Sequence, residues 1–381
     1  MRSIIVAGHV CLDLTPTLET TPAIEPGRLI GVGPLAISPG GCVSNTGLAL
    51  AALGVPTQLI ADAGSDELGR VLVELLAASA ADTTGIARLE GRLTSYSIVV
   101  DFPGRDRTFW HHIGANADFD GRGVVDRIEA AMPTNAAPIG PEGAGGDREP
   151  ILHLGYVTHL PRLYAEGGSA LARLVGAASS AGATVSIDVA EIDPASEARA
   201  VDWERLLALV LPAVDIMKAS VDDLTAMMPG HAGIGPIKWA DLLVKLGAAV
   251  AVVTAAADGL YVRTGSEGRI REASRTLGTA LDDWSNRELW VPALAARVLA
   301  TTGAGDSAAA GFLAGLAQGG GPARCALLSA AAAAARISGW PIGDARQTEA
   351  EWRPSRDVRS GWTVGPDRVY HGPRDAEAHA D

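Results

Sequence analysis

Short apolar runs alternate along most of the chain with longer segments whose apolar positions recur every three to four residues, the pattern of repeated β-α-β units around a parallel sheet. Ser3 to Ala7, Thr57 to Ala61, Ile151 to Leu154, Thr184 to Asp188, Val214 to Met217 and Ala249 to Thr254 read as strands. Between and after them, Ser44 to Leu53, Glu67 to Ala78, Pro161 to Ser180, Trp203 to Leu209, Pro236 to Leu246, Gly305 to Ala317 and Pro322 to Ile337 read as helices. Pro161, Pro236 and Pro322 stand where a first helical turn has no use for an N–H. Two stretches break the rhythm with period-2 alternation, Arg28 to Ser38 and Thr94 to His112, the second with a turn at Pro103 to Asp106. They predict a small antiparallel sheet apart from the main one, placed to cover a ligand. Ala136 to Pro150 is rich in glycine and proline and reads as a surface loop. After about Ala345 the periodicity fades, and Pro373 to Asp381 reads as a polar tail.

Composition narrows the function. The 381 residues are 48% hydrophobic and 20% charged, enough to fill a large core in one domain with an added subdomain. With 31 Lys+Arg against 44 Asp+Glu the net charge is −13, and no dense basic block occurs, which argues against nucleic acid and against anionic membranes. No apolar run reaches the roughly 18 residues of a bilayer span, and Ser3 to Ala7 is too short for a signal-peptide core. A cytoplasmic protein is expected. Cys11, Cys42 and Cys325 lie far apart, so neither a zinc site nor a disulfide framework is expected, only buried thiols. His111 and His112 are adjacent on a strand, hence on opposite faces, and the histidines show no metal-ligand spacing. Lys218, Lys238 and Lys245 are the only lysines, and no G-x-x-x-x-G-K-[ST] loop can be written.

Two glycine-bearing segments carry candidate chemistry. Thr301-Thr302-Gly303-Ala304-Gly305-Asp306 opens a small-residue helix, where unpaired backbone N–H groups and the helix dipole favour an anion. Asp306, in the first turn, is placed to take a proton from a hydroxyl attacking a phosphoryl group held by Gly303, Ala304 and Gly305. An ordinary helix start with a stabilising acid accounts for the same residues. So does the dinucleotide pattern Gly303-x-Gly305-x-x-Ala308, but that pattern needs an acid about 20 residues on, and none lies between Asp306 and Asp344. Pro39-Gly40-Gly41-Cys42-Val43-Ser44-Asn45 leads into the first long helix. Its glycines allow close approach to a ligand, Asn45 offers a donor and an acceptor, and a tight capped turn is the plain alternative. Asp13, just after the first strand, adds a carboxylate suited to a diol.

Taken in order, these motifs resemble the PfkB/ribokinase family of carbohydrate and nucleoside kinases over roughly residues 3 to 340. Gly8-His9-Val10-Cys11-Leu12-Asp13 is similar to that family's first strand and substrate Asp, Gly40-Gly41 to Asn45 to its first signature, and Ala304-Gly305-Asp306 within Thr301 to Leu313 to its second. Gly114-Ala115-Asn116 resembles its return from lid to core. The resemblance implies an α/β fold, a three-layer α/β/α sandwich with a mainly parallel sheet and a small β lid. It implies ATP as donor, Mg²⁺ as cofactor, a sugar or nucleoside as small-molecule substrate, Asp306 as base, Gly303 to Gly305 as anion hole, and Asp13, Gly41 and Asn45 as acceptor ligands. It also implies pairing of lids in a homodimer. The domain is then residues 1–345, with the lid at about 14–38 and 91–115, followed by a partly flexible C-terminal extension, 346–381.

The departures from the family pattern are specific. Lys218-Ala219-Ser220-Val221-Asp222-Asp223 stands at the N-x-x-E motif, Ser220 for Asn and Asp223 for Glu; Ser220 would face nucleotide and Asp223 would hold Mg²⁺ through water. Thr254-Ala255-Ala256-Ala257-Asp258-Gly259 resembles the T-x-G-x-x-G nucleotide loop, with Thr254 and Gly259 kept and Ala256 in place of glycine. A methyl group there implies looser nucleotide contact. Ala300 stands where many members carry the Asp of a monovalent-cation site, so potassium activation is not expected. Val189-Ala190-Glu191 lacks the N-x-R of many fructokinases and ketodeoxygluconate kinases. A nucleoside kinase of the same family, and a sugar sensor without turnover, remain alternatives.

Overall fold

The computed structural model describes residues 1–102, 107–132, 149–351 and 361–373. The expected turn at Pro103 to Asp106, most of the loop from Ala136 to Pro150 and the tail beyond Pro373 lie outside the described residues. The strands are β1 (Ile4–Gly8), β2 (Cys11–Pro16), β3 (Leu35–Gly40), β4 (Thr57–Gly64), β5 (Asp82–Leu89), β6 (Tyr96–Val100), β7 (Thr108–His112), β8 (Ile151–Gly155), β9 (Thr184–Asp188), β10 (Ile216–Ser220), β11 (Val250–Thr254), β12 (Leu260–Thr264), β13 (Glu288–Val291), β14 (Thr363–Val364) and β15 (Tyr370–His371). Eleven of them form one sheet in the order β14-β15-β13-β12-β11-β10-β9-β8-β1-β4-β5. From β5 to β11 every pairing is parallel, and β12, β13, β15 and β14 continue antiparallel at the other edge.

The strands at the centre are buried along nearly their whole length because both faces of the sheet are covered. In β1, Ile4 and Val6 enter one core while Ile5 and Ala7 enter the other, as a period of two requires. Helices Gly41–Ala52, Glu67–Ala77, Ala304–Ala317 and Pro322–Ser338 line the first face; Val124–Ala131, Pro161–Ser180, Trp203–Val210 and Pro236–Lys245 line the second. The fold is thus the three-layer α/β/α sandwich. The helices Ala304–Ala317 and Pro322–Ser338 are rich in alanine and glycine because they touch backbone to backbone. A side chain at Gly311 would come within 2.3 Å of the Leu328 carbonyl, and Ser329 Oγ donates to the Ala308 carbonyl at 2.8 Å.

A second sheet, ordered β3-β2-β6-β7, stands apart as the lid. Of the segment Arg28 to Ser38, only the part from Leu35 is strand. The lid returns to the core through Asn116, whose amide donates to the Val10 carbonyl at 2.8 Å and accepts from the Val10 N–H at 3.2 Å. The expected helix Pro161 to Ser180 is kinked: Glu166, Gly167 and Gly168 have φ of 51°, 67° and 81°, and the adjacent glycines make that left-handed passage inexpensive. β12 and β13 have no counterpart in the sequence reading, and β14 and β15 place part of the C-terminal extension in the main sheet.

Candidate active site

In an open α/β sheet, loops leaving the carboxyl ends of parallel strands converge on one crevice. Here those ends deliver His9 after β1, Tyr156 after β8, Asp188 at the end of β9, Lys218 and Ser220 in β10 and Thr254 in β11. The helix Ala304–Ala317 points its start at the same place. Gly303 precedes it in the left-handed region, φ 76°, and no side chain caps it; the Ala304 N–H, expected to help hold an anion, instead donates to the Thr301 carbonyl at 3.1 Å in the turn that leads into the helix.

Asp306, 2% exposed, is the centre of the constellation. Asn45 Nδ2 and Tyr156 Oη donate to its Oδ2 at 3.0 and 2.8 Å, and Thr46 Oγ1 donates to Oδ1 at 3.4 Å. The two motifs singled out in the sequence, 261 positions apart, therefore meet through a direct side-chain bond. Asp13 faces the same space from the lid strand β2. A side chain at Gly40 would collide with its carboxyl at 2.5 Å, so that glycine makes room for it. Burial pushes the Asp13 carboxyl up, and the charge of Asp306 adds to the rise against hydrogen bonds from Cys11 and Ser97. Gly41 has φ 80° and lies under His9, whose Nδ1 would be 2.6 Å from any added Cβ.

Lys218 completes the base of the site. Its buried amine bridges both Asp188 oxygens at 3.1 Å and lies 3.0 Å from where a Cβ on Gly305 would stand. Burial opposes its charge, but Asp188, Asp223 and Asp306 outweigh that and hold the amine above the lysine range. Ser220 and Thr254 are register partners at the ends of β10 and β11. Ser220 Oγ accepts from the Asp223 N–H at 2.9 Å, and Asp223 Oδ2 accepts from the Ser220 N–H at 3.0 Å, a capping box for the helix Val221–Met227. Gly259 has φ 86°, and a side chain there would strike the backbone of residues 291–293 at 2.1–2.5 Å; close packing explains this glycine. Ala256 retains a left-handed φ of 45°. The loop thus keeps a glycine-like turn despite the methyl group.

Tyr156, Thr46 and Asp188 have no role in the motif reading, and Lys218 appears there only as a neighbour of Ser220. Tyr156 sits at φ 56° directly after β8; its position one residue past a strand end was the available signal. His9, His111 and His159, far apart in sequence, each bring one ring nitrogen within 4.8 Å of the other two. Spacing could not reveal a cluster whose members come from three separate elements. A cavity of about 830 Å³ lies elsewhere, beside the kink at Ala165 to Gly167, and holds none of these residues.

Solved structures with the same architecture define the class. Ribokinase from Thermotoga maritima is 18% identical with a TM-score of 0.64, over 91% of this chain and 98% of its own. Ribokinase from Arabidopsis thaliana, solved with ribose and ATP, is 17% identical with a TM-score of 0.65 over the same shares, 91% and 98%. Phosphofructokinase-2 from Escherichia coli, in complex with substrates and products, is 21% identical with a TM-score of 0.65 over 91% and 98%. This is the ribokinase fold. The sequence profile described as pfkB family carbohydrate kinase matches residues 1–135 and 170–339, and the chain belongs to that family.

Proposed function

We propose that the protein transfers the γ-phosphoryl group of ATP to a hydroxyl, a primary alcohol of a sugar or nucleoside, with Asp306 as general base. The observation that carries the reading is the buried Asp306 carboxylate, fixed by Asn45, Tyr156 and Thr46 in the first turn of an uncapped helix. An acceptor lying between Asp13 and Asp306, with Gly41 and Asn45 beside it, loses its proton to Asp306 as its oxygen bonds to phosphorus and ADP leaves. The amides of Gly303 and Gly305 would face the charge on the transferred group, a contribution of about 3–4 kcal/mol by analogy with one oxyanion donor, and Ala304 would join them only by giving up its bond to the Thr301 carbonyl. Lys218, held against Gly305, adds a fixed positive charge there. Ser220, Thr254 and Gly259 would border the nucleotide, and the left-handed Ala256 leaves that loop its turn.

Residues around Lys218 suit a divalent cation: three carboxyl groups, Asp188, Asp223 and Asp306, surround one ammonium, and burial pushes Asp188 up to about 7 and Asp223 up as well, a rise that a bound cation would oppose. Asp223, with Oδ2 in the capping box, would hold Mg²⁺ through water by its other oxygen. Mg²⁺ when bound neutralises charge on the triphosphate. The lid would also pair with a second copy, since Leu35 and Ile37 on β3 and Trp110 on β7 are 45–54% exposed on the same face of that small sheet.

The test is a coupled ADP-release screen over pentoses, hexoses, keto-acids and nucleosides, with Asp306→Asn as control. Losing a general base lowers turnover by about 10²- to 10⁴-fold while thermal melting stays near that of the parent. Near-normal turnover in Asp306→Asn refutes the base. No ADP release with any acceptor, when ligands raise the melting temperature, favours the sensor.

A further inference from the structure

We propose that His9, His111 and His159 form a three-histidine binding site for a divalent transition metal of zinc or cobalt type, at the seam between lid and core. The ligands come from three elements: His9 follows β1, His111 lies on lid strand β7, and His159 ends the turn after β8. His9 Nε2 and His111 Nε2 are 3.3 Å apart. Two nitrogens bound tetrahedrally at 2.0–2.1 Å from one Zn²⁺ stand about 3.3–3.4 Å apart, so this pair already has the separation of two ligands of one ion. The third nitrogen lies within 4.8 Å of both, and a small shift of the turn carrying His159 brings it in.

The surroundings match those of metal-binding imidazoles, which give their second nitrogen to a carbonyl or hydroxyl. His159 Nε2 bonds the Glu191 carbonyl at 2.8 Å, and His111 Nδ1 bonds Ser97 Oγ at 3.0 Å. The opposite nitrogen of His159, Nδ1, is shut from solvent and has no partner, and the same holds for Nδ1 of His9. The cluster is therefore polar and only partly satisfied by protein, with His9 buried, His159 half-buried and His111 open to solvent on the lid. Three protein ligands leave one tetrahedral position for water or a small oxygen ligand. Because His111 belongs to the lid and the other two to the core, a bound ion pins the lid down over the acceptor space beside Tyr156 and Asp306.

The test uses the full chain, made without a polyhistidine tag, stripped with chelator and titrated with Zn²⁺ and with Co²⁺. One equivalent should bind, with a visible Co²⁺ spectrum of tetrahedral nitrogen-oxygen type and no thiolate charge-transfer band, although Cys11 is close by. His111→Ala and His159→Ala, each checked for a parental melting curve, should weaken binding by about tenfold or more. If either variant does not fold, the cobalt spectrum of the parent decides. A six-coordinate spectrum, a thiolate band, no stoichiometric binding, or unchanged affinity in folded variants overturns the proposal. None of these readouts depends on kinase activity, so the site stands or falls apart from the function proposed above.

Discussion

His153 makes the stability of the core depend on pH in a way that can be calculated. It lies on β8, fully buried, with Nδ1 3.0 Å from Ser186 Oγ and Nε2 3.5 Å from Cys42 Sγ. Burial first, and the nearby Lys218 ammonium second, lower its pKa from 6.5 to about 3. The unfolded chain therefore takes up a proton at this ring near pH 6.5, while the folded chain stays unprotonated until near pH 3. Stability from this group is complete above pH 6.5 and is lost as pH falls through the window down to 3. At 1.36 kcal/mol per pH unit, the loss between pH 7.5 and pH 5 is about 2 kcal/mol. Urea unfolding of the parent and of His153→Gln at both pH values isolates it, because other titrating groups cancel in the difference. The variant should have a pH dependence shallower by about 2 kcal/mol over that interval, whatever its absolute stability. Parallel pH profiles would refute the account of a neutral, enclosed imidazole.

Other expectations follow from the site. Tyr156→Phe removes one of two donors to Asp306 Oδ2; a hydrogen bond to a charged group contributes about 1.5–3 kcal/mol, so kcat should fall about 10- to 150-fold with KM little changed, and a selective rise in KM would place the tyrosine elsewhere. Lys218→Met leaves Asp188 buried without its partner and should cost about 3–5 kcal/mol in urea unfolding, with most of it regained on adding Asp188→Leu; a loss the double variant does not regain would point away from the ion pair. Trp110→Glu should convert a dimer to monomer in sedimentation while leaving the melting temperature near the parent value, and an unchanged sedimentation coefficient would exclude the lid as the interface.

Much of this molecule could be read from its sequence where local chemistry suffices. Val250–Thr254 was legible because a strand buried on both faces reads as a nearly unbroken apolar run, and Thr184–Asp188 by its β-branched residues even though it buries Thr184, Ser186 and Asp188. Asp306 was legible because a glycine-led helix start is written in consecutive residues. β12 and β13 were not: they are 5 and 4 residues long, each carries a charged side chain, and their pairing is fixed by neighbours distant in the chain. Tyr156 and the histidine trio belong to no local pattern, since the sheet order alone brings the ends of β1 and β8 side by side. The kink at Glu166 was foreshadowed by Gly167-Gly168, though helical periodicity runs straight through them.

The two short strands near the end of the chain act as a cap on an otherwise open border of hydrogen-bonding groups. Trp362 packs edge-on against Tyr261 and Trp290, and Tyr370 lies tilted against Trp290 and is 1% exposed. Trimming the polypeptide after Ala345 would strip that cover and present β13 as a ready template for other molecules to add to, so the shortened protein should self-associate even with every catalytic group in place.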